Sequence, residues 1–216
     1  MKSGPNRLDS FAHTMSTTGK KILLLRHGTT DLVDSCLCGQ MPGVLLNENG
    51  RQQAITLAAR LASLDVLVSS PLERAWETAS IIARMHGLEP VACEAFAERD
   101  FGRWTGTPFQ DLVAGSFWTR LDTSGTKTAQ NCESMDEVQR RALTALENIM
   151  AKEVSARTIA VVSHSAVVRA LLSHAAGLPL SSYLQFTIHP ASISEIGYGE
   201  SDGFHVVRVN DCDHLA

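Results

Sequence analysis

The chain has no apolar run approaching the roughly 18 to 20 residues that would cross a bilayer. Its longest apolar candidates are four to six residues, bounded by polar groups. Positive charge is not in excess either. With 19 Lys plus Arg against 23 Asp plus Glu, the formal charge is −4 with His neutral, which excludes a broadly basic nucleic-acid surface. Cysteine is sparse: Cys36, Cys38, Cys93, Cys132 and Cys212 form an odd, scattered set, unlike the dense pairs of a secreted disulfide scaffold. They read as reduced thiols in a cytosol. Cys36 and Cys38 make a C-x-C with no second pair at zinc-site spacing, so two small loop side chains and no metal site are expected. The H-E-x-x-H and G-x-G-x-x-G patterns are also missing, which removes two common rival enzyme motifs. With 44% hydrophobic and 19% charged residues in 216, the chain is long and apolar enough to bury a core.

Residues 1–20 are polar and rich in Ser, Thr and Gly, with no helical or strand period, and are expected to be a flexible arm. They lack the apolar centre of a signal peptide and the basic residues of a transit peptide. No internal repeat follows, so one domain over residues 21–211 with a tail at 212–216 is the simplest division. Ile22-Leu23-Leu24-Leu25 reads as a strand buried on both faces. From Asn47 to Leu64, Ala54, Leu57, Ala58 and Leu61 recur at helical spacing behind an Asn47 cap. Val66-Leu67-Val68 is a second strand. Ser70, Pro71 and Glu73 then offer a cap, a first-position proline and a third-position glutamate for a helix running to His86 and closed by Gly87. Ser134 to Glu137 makes a capping box before Val138, Ala142, Leu146 and Ile149. Thr158 to Val162 is a third buried strand, followed by an apolar helix over residues 166–176. Ser192 to Tyr198 and Phe204 to Val209 alternate about Ser201-Asp202-Gly203 as an edge hairpin. This alternation implies an α/β fold: three layers, α/β/α, around a mostly parallel sheet with an antiparallel strand at one edge.

Three of the strands end alike. Arg26 and His27 follow the first, Arg74 lies in the first turn of the helix after the second, and His164 follows the third. Open parallel sheets bind ligands outside their carboxyl ends, so these four residues converge in one crevice. A first-turn arginine is disfavoured by the helix dipole, and its presence there fits an anionic partner. Two arginines and two histidines beside helix amino termini select a small anion, most naturally a phosphoryl group.

The segment Leu24-Leu25-Arg26-His27-Gly28-Thr29-Thr30 resembles the signature of the histidine phosphatase superfamily, which includes cofactor-dependent phosphoglycerate mutases and α-ribazole phosphatases. Further family-like motifs follow in order. Asn47 to Ala54 resembles N-x-x-G-x-x-Q-A, Ser69 to Ala75 the second arginine motif, Glu98 to Trp104 the acid motif, and Val162-Ser163-His164 the second histidine motif. The resemblance spans roughly residues 21 to 210 and implies a phosphoglycerate mutase-like fold.

It also implies roles. His27 is the nucleophile and forms a phosphohistidine, as a neutral imidazole can when one ring nitrogen is held by a hydrogen bond. Arg26 and Arg74 clamp the non-bridging oxygens. His164, most useful when protonated, donates to the same oxygens. Glu98 protonates the leaving oxygen and then activates water. Gly28 allows a close turn beside the phosphate, and Thr30 matches a phosphate-contacting position, although Thr29 or Thr30 could equally cap the loop. His189 and Trp104 belong either to the entrance or to packing. No metal and no cofactor are implied. The partner is a small phosphorylated substrate, with no nucleic acid or membrane, and a homodimer is compatible with the common twofold oligomers.

The expected activity is that of a metal-independent phosphomonoesterase, because the roughly 65 residues between Glu98 and His164 are short beside the mutases. Phosphoglycerate mutase-type transfer is the alternative, and a silent phosphate-binding or protein-interaction module is a third reading. Two departures stand out: Val33 occupies a position where several members carry asparagine, and Asn131-Cys132-Glu133-Ser134 replaces Gly-Gly-Glu-Ser.

Overall fold

The structure, a computed structural model, describes residues 19–113 and 131–216. The expected arm lies outside the described residues as far as Thr18, and Lys20 already belongs to the first strand. In chain order the main elements are β1 (Lys20–Arg26), α1 (Glu48–Arg60), β2 (Val66–Ser69), α2 (Glu73–His86) and β3 (Val91–Ala92). Then come the short α3 (Phe109–Val113), α4 (Met135–Lys152), β4 (Thr158–Ser163), α5 (Ser165–Ala175), β5 (Ile193–Gly199) and β6 (Gly203–Asp211).

The strands form one sheet in the order β3-β2-β4-β1-β5-β6. β1 and β2 both pair in parallel with β4, and β3 pairs in parallel with β2, whereas β5 is antiparallel to both β1 and β6. β5 is therefore the strand that runs against its neighbours, one place in from the edge. The sheet is covered on both faces, and the strand alternation shows how. Leu23 and Leu25 of β1, with Ala160 and Val162 of β4, pack with Leu57, Ala75 and Ile82 of α1 and α2. The intervening Ile22, Leu24, Ile159 and Val161 face Val138, Leu146, Val167 and Leu171 of α4 and α5. An apolar run with no polar alternation is what a strand between two helical layers requires.

Several boundaries differ from expectation. α1 stops at Arg60, where Leu61 turns extended, and does not reach Leu64. α2 begins only at Glu73, and its cap position, Leu72, has no side-chain cap. The Ser70 hydroxyl accepts from Leu72 N but also pairs with His164, and the Glu73 carboxylate accepts from Gly43 N. The apparent capping residues are thus drawn into tertiary contacts. The Ser134 and Glu137 box forms as expected, and α4 buries Met150 while Ile149, partly buried, packs against the same core. Gly199-Glu200-Ser201-Asp202-Gly203 happens to spell G-x-S-x-G. It is the β5–β6 hairpin turn, with no helix after the serine, so it lacks the strand-to-helix elbow that motif needs.

Candidate active site

Backbone hydrogen bonds bring the ends of the three central strands level. His27 N donates to Ser163 O (3.0 Å), and Ser70 N donates to Val162 O (2.9 Å). The chain then leaves the sheet at His27 under a tight constraint. A Cβ on Gly28 would overlap the carbonyl of Gly50, and one on Gly50 would overlap the carbonyl of Thr29. The amino-terminal turn of α1 thus packs backbone against backbone on the loop after β1, which only glycine permits at both positions.

Beyond these strand ends lies a cavity of about 430 Å³. Arg26, His27, Thr30, Arg74 and Glu98 all line it. His164 stands directly behind, its ring centroid 5.0 Å from that of His27. Gly28 is not among the lining residues. Its contribution is the carbonyl, which lies 2.7 Å from His27 Nδ1. A carbonyl can only accept, so Nδ1 carries the proton and Nε2 keeps its lone pair. Arg74 Nε donates to that Nε2 at 3.3 Å, while Arg74 Nη2 donates to Gly39 O at 2.7 Å. Arg26 Nη1 donates to Ile188 O at 2.7 Å.

The buried polar atoms left without a partner are informative. Arg26 Nε, Arg74 Nη1 and His164 Nδ1 are all buried and unbonded among the described residues. Three such groups around one imidazole form a cradle of donors that an oxyanion can satisfy. His164 Nε2 lies 2.7 Å from Ser70 Oγ, whose other contact is the Leu72 N–H it accepts. The hydroxyl proton can therefore go to Nε2, leaving Nδ1–H free to donate with the ring uncharged.

Electrostatics point the same way. Burial, then the guanidinium groups of Arg74 and Arg26, push the His27 imidazole well below its ordinary value. Burial and Arg74 do the same to His164. These shifts favour the neutral form of both rings in the unliganded protein. The consequence for stability has a definite sign. A histidine whose folded pKa is depressed binds fewer protons than in the unfolded chain once pH falls below about 6.5, so stability declines on acidification until the folded values are reached. Each ring contributes up to about 1.4 kcal/mol per pH unit in that window. Urea unfolding between pH 7 and pH 5.5 should show this decline, and His27→Gln should flatten it. Equal slopes in the two proteins would contradict the assignment.

Glu94 and Asp100 lie close to Glu98 in the sequence and are the carboxylates that could be confused with it. Only Glu98 lines the cavity, its carboxylate accepting from Arg99 N at 2.8 Å, whereas Asp100 accepts from Gly102 N and Glu94 is exposed on another surface. Thr30 is buried at the cavity wall, and its hydroxyl also accepts from Leu32 N, so both of its expected roles find a geometric basis. Trp104 packs beside Leu37, Leu112 and Cys132, and His189 is exposed and paired with Asn210; neither lines the cavity. Val33 does line it.

Sequence reasoning missed Arg169 and Tyr183, which line the same cavity. The signal for Arg169 was available: it is the one arginine in the apolar helix that follows His164.

The model of the histidine phosphatase superfamily (branch 1) matches residues 22–212. Phosphoserine phosphatase 1 of Hydrogenobacter thermophilus is 30% identical over 203 residues, covering 90% of this chain and 94% of that protein. A bifunctional protein of Mycobacterium tuberculosis is 34% identical over 209 residues, covering 92% of this chain but 56% of its own length. The chain thus spans little more than half of that relative. A probable phosphoglycerate mutase of Salmonella arizonae is 29% identical over 205 residues, covering 90% and 94%. Among solved structures, a mycobacterial glucosyl-3-phosphoglycerate phosphatase in complex with VO3 superposes with a TM-score of 0.80 at 26% identity, covering 88% of this chain and 98% of that one.

Proposed function

The chain belongs to the histidine phosphatase superfamily, and from that premise we propose that it is a phosphomonoesterase acting on a small phosphorylated metabolite through a phosphohistidine on His27. The observation that carries this reading is the state of His27: its Nδ1 proton is held by the Gly28 carbonyl, which leaves the Nε2 lone pair beside Arg74. A substrate phosphoryl group displaces Arg74 Nε from that lone pair and takes its place between the cations. Nε2 attacks phosphorus, the ester P–O bond breaks in line, and the leaving oxygen takes a proton from Glu98. Arg26, Arg74 and the Nδ1–H of His164 donate to the three equatorial oxygens, where charge accumulates. Water then gives its proton to Glu98 and attacks phosphorus, releasing phosphate and restoring His27. Phosphate-borne charge shifts the equilibrium of His164 toward its protonated form, so the ring gains charge as substrate enters.

Phosphoglycerate mutase-type transfer uses the same first step and differs only in the acceptor, and the likeness to a probable mutase keeps that outcome in view. The deciding experiment supplies a panel of small phosphate esters, with 3-phosphoglycerate and 2,3-bisphosphoglycerate among them, in the presence of a chelator. Inorganic phosphate should accumulate at an undiminished rate. Rapid interconversion of 3- and 2-phosphoglycerate would replace the hydrolytic reading with the mutase one, and arrest by the chelator would refute metal independence.

A further inference from the structure

Several arginines away from the cavity are paired with carboxylates: Arg51, Arg60, Arg141 and Arg208 each lie within salt-bridge distance of one. Arg26, Arg74, Arg99 and Arg169 line the cavity, and none of the four has such a partner among the described residues. Two carboxylates, Asp34 and Glu98, share that lining, which leaves two positive charges in excess.

One phosphoryl group accounts for Arg26 and Arg74, whose buried unbonded nitrogens surround His27. Arg99 is occupied otherwise, since its Nε donates to Glu133 O and its guanidinium lies 5.6 Å from the Phe101 ring centre. Arg169 remains. It stands in the second turn of α5, five residues beyond His164, and is anchored through Nε to Phe186 O at 2.8 Å. That bond fixes the plane of the guanidinium while its two terminal amino groups make no protein hydrogen bond among the described residues. Arg169 is near enough to Arg26 to disfavour its charge, a repulsion that an anion between them relieves. A planar, anchored fork with two free amino groups matches a carboxylate. Leu184 and Tyr183 beside it give a partly apolar wall for the body of a leaving group.

We propose that Arg169 is a specificity-determining residue that binds a carboxylate on the leaving group, so that the preferred substrates are phosphate monoesters of hydroxy acids or amino acids. This rests on the phosphomonoesterase reading above and adds to it the chemistry of the alcohol released. The product is then a carboxylate-bearing alcohol, and the enzyme follows a reaction that phosphorylates, or carries phosphorylated, such an acid.

Matched pairs of esters isolate the carboxylate. O-phosphoserine differs from O-phosphoethanolamine only by that group, and 3-phosphoglycerate differs from glycerol 3-phosphate by a carboxylate in place of a hydroxymethyl. The wild-type protein should favour the acid of each pair by about tenfold or more in kcat/KM, the worth of a charge-assisted hydrogen bond, and chiefly through KM. In Arg169→Gln both ratios should fall to within roughly threefold of unity, and Arg169→Lys should restore part of the preference. Because the readout is a ratio within one variant, any general loss of activity or folding cancels. Ratios near unity in the wild type, or unchanged in Arg169→Gln, would overturn the proposal. So would an Arg169-dependent preference confined to fructose 1,6-bisphosphate over fructose 1-phosphate, which would make the second anion a phosphate. If no ester is hydrolysed, the catalytic reading fails by itself, and the same ratios taken from dissociation constants decide for or against Arg169.

Discussion

His27→Ala should lower phosphate release by roughly 10⁴- to 10⁶-fold, the loss seen when the group that attacks the substrate is removed from a cooperating set. The reason lies in how little else could attack. The cavity wall offers Thr30, Ser165, Cys36 and Cys38 as other potential nucleophiles. Burial and Cys36 raise the Cys38 thiol to about 11, so it is protonated at neutral pH, and neither the Thr30 nor the Ser165 hydroxyl hydrogen-bonds a histidine among the described residues. An alanine at 27 also removes the acceptor of Arg74 Nε, but the carbonyl of Gly39 still holds that guanidinium through Nη2. The variant should therefore fold, and a melting curve alongside the assay checks this. Rapid quenching in base with ³²P-labelled ester should trap an acid-labile phosphoprotein in the wild type and none in His27→Ala. Residual turnover within tenfold of wild type, or label retained in the variant, would assign the covalent step to another group.

What could be read from the chain alone follows a physical line. β1, β4 and the helices beside them were legible because each strand is apolar on both faces, and a sheet covered on both sides demands that pattern. The convergence of Arg26, His27, Arg74 and His164 was legible because strand ends in such a sheet lie on one rim. The failures occur where side chains serve distant partners. Ser70 looks like a helix cap and is the hydrogen-bond partner of His164, 94 residues away in the chain, and no local rule reports that. Gly28 looks like a phosphate-approach residue, but the space it frees is taken by the backbone of α1. Arg169 escaped notice because an arginine in an amphipathic helix normally reaches solvent, and only the chain near Phe186 turns this one toward the cavity. The protonation preference of His164 is illegible in the sequence for a related reason. A sequence shows that a histidine is present, but its pKa is set by burial and by Arg74, which are properties of the folded site.

Arg74→Lys separates charge from geometry and should cost about 10² to 10³-fold in kcat/KM, the range for loss of one donor aimed at a developing oxyanion. Lysine keeps the positive charge, so a site that needed only positive potential would lose little. Arg74, however, does three things at once. Nη2 is tied to the carbonyl of Gly39, Nε reaches His27 Nε2, and Nη1 is buried with no partner among the described residues. A single ammonium cannot hold the Gly39 carbonyl and still present two parallel donors to a phosphoryl group. Burial raises the stakes, because desolvation already pushes Arg74 below the ordinary arginine value, with the charge of Glu98 opposing it. Lysine in the same place is the more easily neutralised cation. The loss should be larger in kcat than in KM, since the equatorial oxygens carry most charge at the transition state. It should also shrink as pH falls, because acid restores the proton to a desolvated lysine amine. A decrease below tenfold that is independent of pH would show that net charge suffices, and that the fork geometry of Arg74 is structural.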